Sequence, residues 1–241
     1  AFPSIFWSNQ RNNAEMGAML SAVWEPELVP SPAMAEFAAA TVDGLEGVVD
    51  KAVAIHDAVA DGWGYLGFYP GESGWIPHSA ESCFEARLGD CKDQSALMIT
   101  MMRAAGLTAW PVVVYAGQAL NPAKVPVVLA NHAVVWVEDP SQEGGGFLLD
   151  SVDTGTAAFP PADWITGRKV FLIHPTDGRY LKIPRPGSAH RLAEDETTID
   201  LHRDGSASIH LVERWHGGLA NLRQARRRRT PPAWWQQQQR E

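Results

Sequence analysis

The sequence predicts an α+β protein, with one helix packed on a mostly antiparallel sheet. Three observations lead there. Over 91–105 the apolar residues Leu97, Met98, Met101, Met102 and Ala105 recur at three- and four-residue spacing, an amphipathic helical period. Three stretches rich in β-branched and aromatic residues follow, at 109–115, 131–137 and 146–150. Their connections are short, which favours antiparallel neighbours over crossover units.

The chain of 241 residues is long enough for one good core and a smaller appendage. Hydrophobic content of 45% and charged content of 20% are those of an ordinary globular protein. A net charge of −8 argues against a nucleic-acid partner. There is no apolar run of membrane-spanning length, so no span is expected. The two cysteines, Cys83 and Cys91, are too few for a disulfide scaffold or a zinc ribbon. With neither HExxH nor CxxC present, no metal and no cofactor are expected. The start at Ala1, without Met or a signal peptide, reads as a mature form or a cut fragment.

In chain order, residues 1–32 carry Pro3, Pro26, Pro30 and Pro32 around Trp7 and Trp24. They read as a strap over the core or the remnant of a preceding domain. Residues 33–60 read as helix starting at Ser31-Pro32, with Gly44 and Gly47 as points that weaken it and can split it. The glycine- and aromatic-rich 62–74 reads as loop, and 79–86 as a short helix. In the first strand, Pro111 places it near a sheet edge. Residues 117–126 and 156–168 read as loops and 169–173 as a further strand. After Pro184-Arg185-Pro186-Gly187 the character changes. Residues 186–241 read as the start of a β module, with a hairpin around Arg203-Asp204-Gly205, followed by a low-complexity tail. The run Arg226 to Arg229 reads as part of that solvated tail. The core is thus expected over 33–185.

The chemistry centres on Arg87-Leu88-Gly89-Asp90-Cys91-Lys92-Asp93. Gly89 allows a tight turn, Asp90 is a good N-cap, and Gly106 a C-cap. A thiol at a helix N-terminus meets the positive end of the macrodipole, which favours thiolate. A small buried hydrophobe is the alternative role for a free cysteine. A nucleophilic Cys91 needs a base, and the base an orienter. His132 opens the second strand and Asp150 closes the third. If those strands are neighbours, the imidazole can take the thiol proton while the carboxylate fixes its tautomer. Cys83 reads as structural, and His78 as a surface or packing residue.

These residues resemble the transglutaminase-like superfamily of papain-related folds. The matching motifs are Gly-Asp-Cys-Lys-Asp at 89–93, Arg-Ala-Ala-Gly-Leu at 103–107, Asn-His-Ala-Val-Val at 131–135 and Leu-Asp-Ser-Val-Asp-Thr at 149–154. The resemblance covers roughly 45–185. It is nearest to bacterial envelope proteins in which β domains flank this core, which implies a periplasmic or otherwise extracytoplasmic setting. It implies that Cys91, His132 and Asp150 form the catalytic triad, with Asp153 a rival for the last place. Ser151-Val152 stands where the family often has proline. The Cys91 N–H is one candidate oxyanion donor, and Tyr65 or Trp75 a candidate for a second, with aromatic core packing the alternative role of each.

The function this implies is cysteine-dependent acyl transfer on protein or peptide amides through a thioester, with a primary amine as a possible acceptor. The alternatives are a cysteine peptidase or amidase acting on envelope peptides, and a non-catalytic peptide-binding scaffold.

Overall fold

A computed structural model describes residues 8–67, 74–116, 126–127, 129–152, 164–185 and 193–216. The helices are α1 (Asn13–Trp24), α2 (Pro32–Thr41), α3 (Val48–Gly62), α4 (Ala80–Ala86) and α5 (Cys91–Ala104), with a 3-10 turn at Glu25–Glu27. The strands are β1 (Gly64–Tyr65), β2 (Leu88–Gly89), β3 (Ala109–Val114), β4 (His132–Glu138), β5 (Gly146–Leu149), β6 (Lys169–Leu172), β7 (Arg179–Lys182), β8 (Ala193–Leu201) and β9 (Ala207–Trp215).

The main sheet is five-stranded and antiparallel throughout, in the order β5-β4-β3-β6-β7. Side chains alternate across it. Val113, Ala133, Val135 and Leu149 face the helices, while Val112, Val134, Trp136 and Leu148 face the opposite way into a second cluster with Ile165 and Ile183. Burial on both faces explains why these strands read as nearly unbroken apolar runs.

Helix α5 lies between the sheet, at β3 and β4, and α2, α3 and α4. Its residues from Cys91 to Met102 are all buried. The sequence suggested an amphipathic helix with a polar face, but the polar residues are enclosed too. Ser95 Oγ donates to the Cys91 carbonyl at 2.6 Å and Thr100 Oγ1 to the Ala96 carbonyl at 2.8 Å. Satisfied in this way, hydroxyls cost little to bury.

Pro111 does not mark an edge, because β3 is the central strand. The β3–β6 ladder covers Val112 and Val113, and beyond it the Ile173 N–H donates to the Pro111 carbonyl at 2.9 Å. A β residue's N and C=O point to the same side, so the missing N–H falls where that ladder ends. The helix expected over 33–60 is two helices, α2 capped by Ser31 and α3 beginning after Gly47. The hairpin β8–β9 turns at Arg203-Asp204-Gly205, with Gly205 at φ 86°. Residues 117–125 and 156–163 of the two expected loops, and the tail from 217 onward, lie outside the described residues.

Residues 13–24 form a helix that the prolines and tryptophans around them had not suggested. It buries Met16, Leu20 and Trp24 against the core. Next to it, Arg103 of α5 donates to both carboxylate oxygens of Glu25, at 2.8 and 3.1 Å. Gly17 touches Gly178 so closely that a Cβ there would lie 2.4 Å from the Gly178 Cα. Gly17→Ala is therefore expected to lower stability by about 1–3 kcal/mol in urea denaturation. An unchanged midpoint would deny the tight seating of α1 beside β7.

Candidate active site

The site begins at the start of α5, where the first N–H groups of a helix have no partner within the helix. Here they are buried, so the protein must supply acceptors. Asp90 accepts from the N–H of Lys92 at 2.9 Å and of Asp93 at 3.2 Å, and Asp93 accepts in return from the Asp90 N–H at 3.2 Å, a reciprocal capping box. Two carboxylates at this point would offset the positive helix end. The Lys92 ammonium pairs with Asp90, both side chains buried, and neutralises one of them. Cys91 is the first residue of α5 and is 6% exposed.

Gly89 does not make the turn. Arg87 takes the left-handed conformation instead, at φ 53°, with its guanidinium 3.9 Å from the centre of the Trp63 ring. Gly89 is required by proximity: a Cβ there would lie 2.9 Å from the Cys83 sulfur and 2.8 Å from the Asp93 Cβ.

Strands β4 and β5 are neighbours, with Val135 opposite Leu149. That register brings His132 at the start of β4 beside Asp150, just past β5. His132 Nε2 lies 2.9 Å from Asp150 Oδ2, and the two side chains are 12% and 16% exposed. The other oxygen of Asp150 accepts from the Val152 N–H at 3.1 Å. His132 also lies within hydrogen-bonding reach of the Cys91 side chain. With Nε2 taken by the carboxylate, Nδ1 is the nitrogen left for sulfur. Burial works against a charged ring, but the hydrogen bonds to Asp150 and Cys91 and their negative charge prevail and push His132 up to about 10. The three side chains named from the sequence are thus together. Asp153 lies outside the described residues.

A sequence model of the transglutaminase-like superfamily matches residues 35–150, from α2 to Asp150. The core of this chain belongs to that superfamily. Among solved structures, a candidate protease from Parabacteroides distasonis superposes with a TM-score of 0.52 at 15% identity, covering 73% of this chain and 32% of its own. That likeness is one of fold, and this chain spans about a third of that protein's length. A candidate cysteine protease from Cytophaga hutchinsonii aligns with a TM-score of 0.38 at 23% identity, covering 53% of this chain and 41% of its own. No curated protein sequence matches the chain.

In this transglutaminase-like core, Cys91 and His132 line a cleft of about 210 Å³ with Trp24, Trp75 and Lys92. Of the two candidates for a second oxyanion donor, Trp75 borders this cleft and Tyr65 does not. His132 and Asp150 also border a second hollow, with Trp164. The Trp164 ring lies 5.6 Å from that of His132, centre to centre, at 57°. Cys83 is buried and free, and burial, then Asp93 and Asp90, push its thiol up to about 12, which leaves it inert. His78 lines neither hollow: its backbone N–H donates to Asp93 at 2.9 Å, and its exposed ring lies 3.2 Å from the same carboxylate.

Four residues around the site were not singled out from the sequence: Trp24, His56, Gln94 and Trp164. Trp164 follows a stretch with no helical or strand period, so nothing marked it. Gln94 is buried and binds three segments. Its Nε2 donates to the Gly64 carbonyl at 3.1 Å, more weakly to that of Gly89 at 3.5 Å, and its Oε1 accepts from Ser151 Oγ at 2.9 Å. Ser151 stands where the resemblance suggested proline, and its hydroxyl ties the Asp150 turn to the nucleophile helix. Ser151→Ala leaves Gln94 Oε1 buried without that donor. We expect a stability loss of about 1–3 kcal/mol in urea denaturation, with Cys91 reactivity reduced. No change in either would show that the tie is idle.

Proposed function

We propose that this chain catalyses cysteine-dependent acyl transfer on protein or peptide amides, with Cys91 as nucleophile, His132 as proton carrier and Asp150 as orienter. One observation supports this above all: the His132 ring sits between the Cys91 side chain and the Asp150 carboxylate at a helix start. The superfamily match supports a cysteine-dependent enzyme and a protein or peptide substrate.

In this reading, the Cys91 sulfur attacks the amide carbon, and the carbonyl π electrons move onto oxygen. The Cys91 N–H is the donor assigned to that oxyanion here. As the oxyanion collapses, the C–N bond breaks and the His132 imidazolium gives its Nδ1 proton to the departing nitrogen. A thioester and free amine result. A second amine, such as lysine, then attacks the thioester carbon and gives a proton back to His132 Nδ1; the C–S bond breaks, the Cys91 thiolate leaves, and a new amide results. Asp150 holds Nε2–H throughout, so that Nδ1 faces sulfur. Water in place of the second amine gives hydrolysis by the same steps up to the thioester. The envelope setting is part of this proposal and rests on the resemblance of the sequence to bacterial envelope proteins. Among the described residues, no helix is long and apolar enough to cross a membrane.

The test is mass spectrometry of glutamine-containing peptides incubated with the protein, with and without a labelled primary amine. Amine-dependent isopeptide products are expected, and Cys91→Ala is expected to abolish them while its thermal melt stays cooperative. Free acids alone would assign a hydrolase. Turnover unchanged in Cys91→Ala would reject the nucleophile.

A second expectation concerns pH. His132 works as an acid only while protonated, so kcat/KM falls as pH rises through about 10. Asp150→Asn removes the charge that holds the proton, so this alkaline limb moves to lower pH, and the rate drops by roughly 10²–10⁴-fold. An alkaline limb at the same pH in both proteins would contradict the orienting role.

A further inference from the structure

Asp150 lies one residue past the end of β5, so no ladder bond fixes its carbonyl. Something else must place it. A 2.9 Å contact with His132 is lost on a shift of about 1 Å, which is enough to undo a catalytic alignment. Two buried groups reach this turn from the helices. One is Gln94, through Ser151. The other is His56, on the apolar face of α3 between Ala52 and Val59.

His56 is 2% exposed. Its Nε2 lies 2.9 Å from the main-chain carbonyl oxygen of Asp150, ninety-four residues away in sequence. A carbonyl oxygen only accepts, so the bond requires a proton on Nε2. Its Nδ1 lies 2.9 Å from Oδ1 of Asp57, whose side chain is 59% exposed. The ring therefore runs from a carboxylate at the surface to the main chain behind the site, and the doubly protonated ring satisfies both contacts at once. Among the described residues, the titratable groups in contact with this arrangement are Asp57 on α3 itself and, at Asp150, His132 of β4. Asp90 and Lys92 of α5 are paired with each other.

We propose that His56 is a positioning residue for Asp150: its Nε2–H holds the Asp150 carbonyl and so keeps the carboxylate on His132. This rests on the reading of Asp150 as orienter given above. His56 touches no reacting atom. It acts through the main chain of the residue that holds the base, and it links α3 to the chemistry of α5 and β4.

The test is nitrogen NMR of the full chain with labelled histidine, with His132 assigned by its loss in His132→Gln and His56 by its loss in His56→Gln. In the wild-type protein, His56 should show a proton on Nε2 that exchanges slowly with solvent. An unprotonated Nε2 would overturn the proposal without recourse to any variant. The ring titration of His132 should fall by about one pH unit or more in His56→Leu, equivalent to about tenfold in proton affinity. It should stay near the wild-type value in His56→Gln, whose amide N–H can still donate to the carbonyl. A His132 titration unmoved in a cooperatively melting His56→Leu overturns the proposal. So does an equal fall in both variants, which would mark a packing effect only. If the wild-type His132 itself titrates at an ordinary value, it is the orienting role of Asp150 that fails, and the two failures are thereby told apart.

Discussion

A helix whose first turn is buried must find acceptors for its free N–H groups inside the protein, and this constraint shapes the whole site. Asp90 and Asp93 meet it reciprocally, and Lys92 neutralises Asp90. Lys92 thus offsets one of the two carboxylates at the start of α5, where Cys91 is the first helical residue. The same demand accounts for Gly89. The loop must pass so near Asp93 and Cys83 that a side chain has no room. Holding α5 in place are α2, α3 and α4 on one side and β3 and β4 on the other.

The sheet then does what the helix cannot. Antiparallel pairing of β4 and β5 brings the start of β4 beside the end of β5, where His132 meets Asp150. A slip of one residue would turn His132 to the other face. With both faces buried, it is close side-chain packing that opposes the slip, so the packing that stabilises the sheet also fixes His132. The end of β5 is tied twice more, by Ser151 to Gln94 and by the Asp150 carbonyl to His56. Cys91, His132 and Asp150 sit at the ends of three elements whose mutual positions are set by buried contacts.

Much of this was legible in the sequence. The helical period after Cys91, the β-rich runs and the Ser31 and Asp90 caps are local signals, and they were met by the structure. Cys91, His132 and Asp150 were legible because each sits at an element's end, where a side chain can reach a shared cleft. What depended on distant partners was not legible. Gln94 of α5 reads as a polar residue of an amphipathic helix, yet it is buried and its partners include Gly64 and Ser151, far away in sequence. Pro111 suggested an edge because proline lacks a donor, but position within a sheet depends on where each neighbouring ladder stops. His56 lies in phase with an apolar stripe, and only coordinates show that its ring ends on Asp150. Residues 13–24 hid a helix behind a composition that suggested irregular chain.

The central claim is that the Cys91 sulfur is activated by its place at the helix start and by His132. The most direct measurement is the rate of iodoacetamide alkylation at Cys91 at about pH 6, where an ordinary thiol is almost wholly protonated, compared between native and urea-unfolded protein. The account predicts faster labelling in the native chain, by about tenfold or more, with the excess lost in His132→Ala. Native labelling no faster than in the unfolded chain would contradict it.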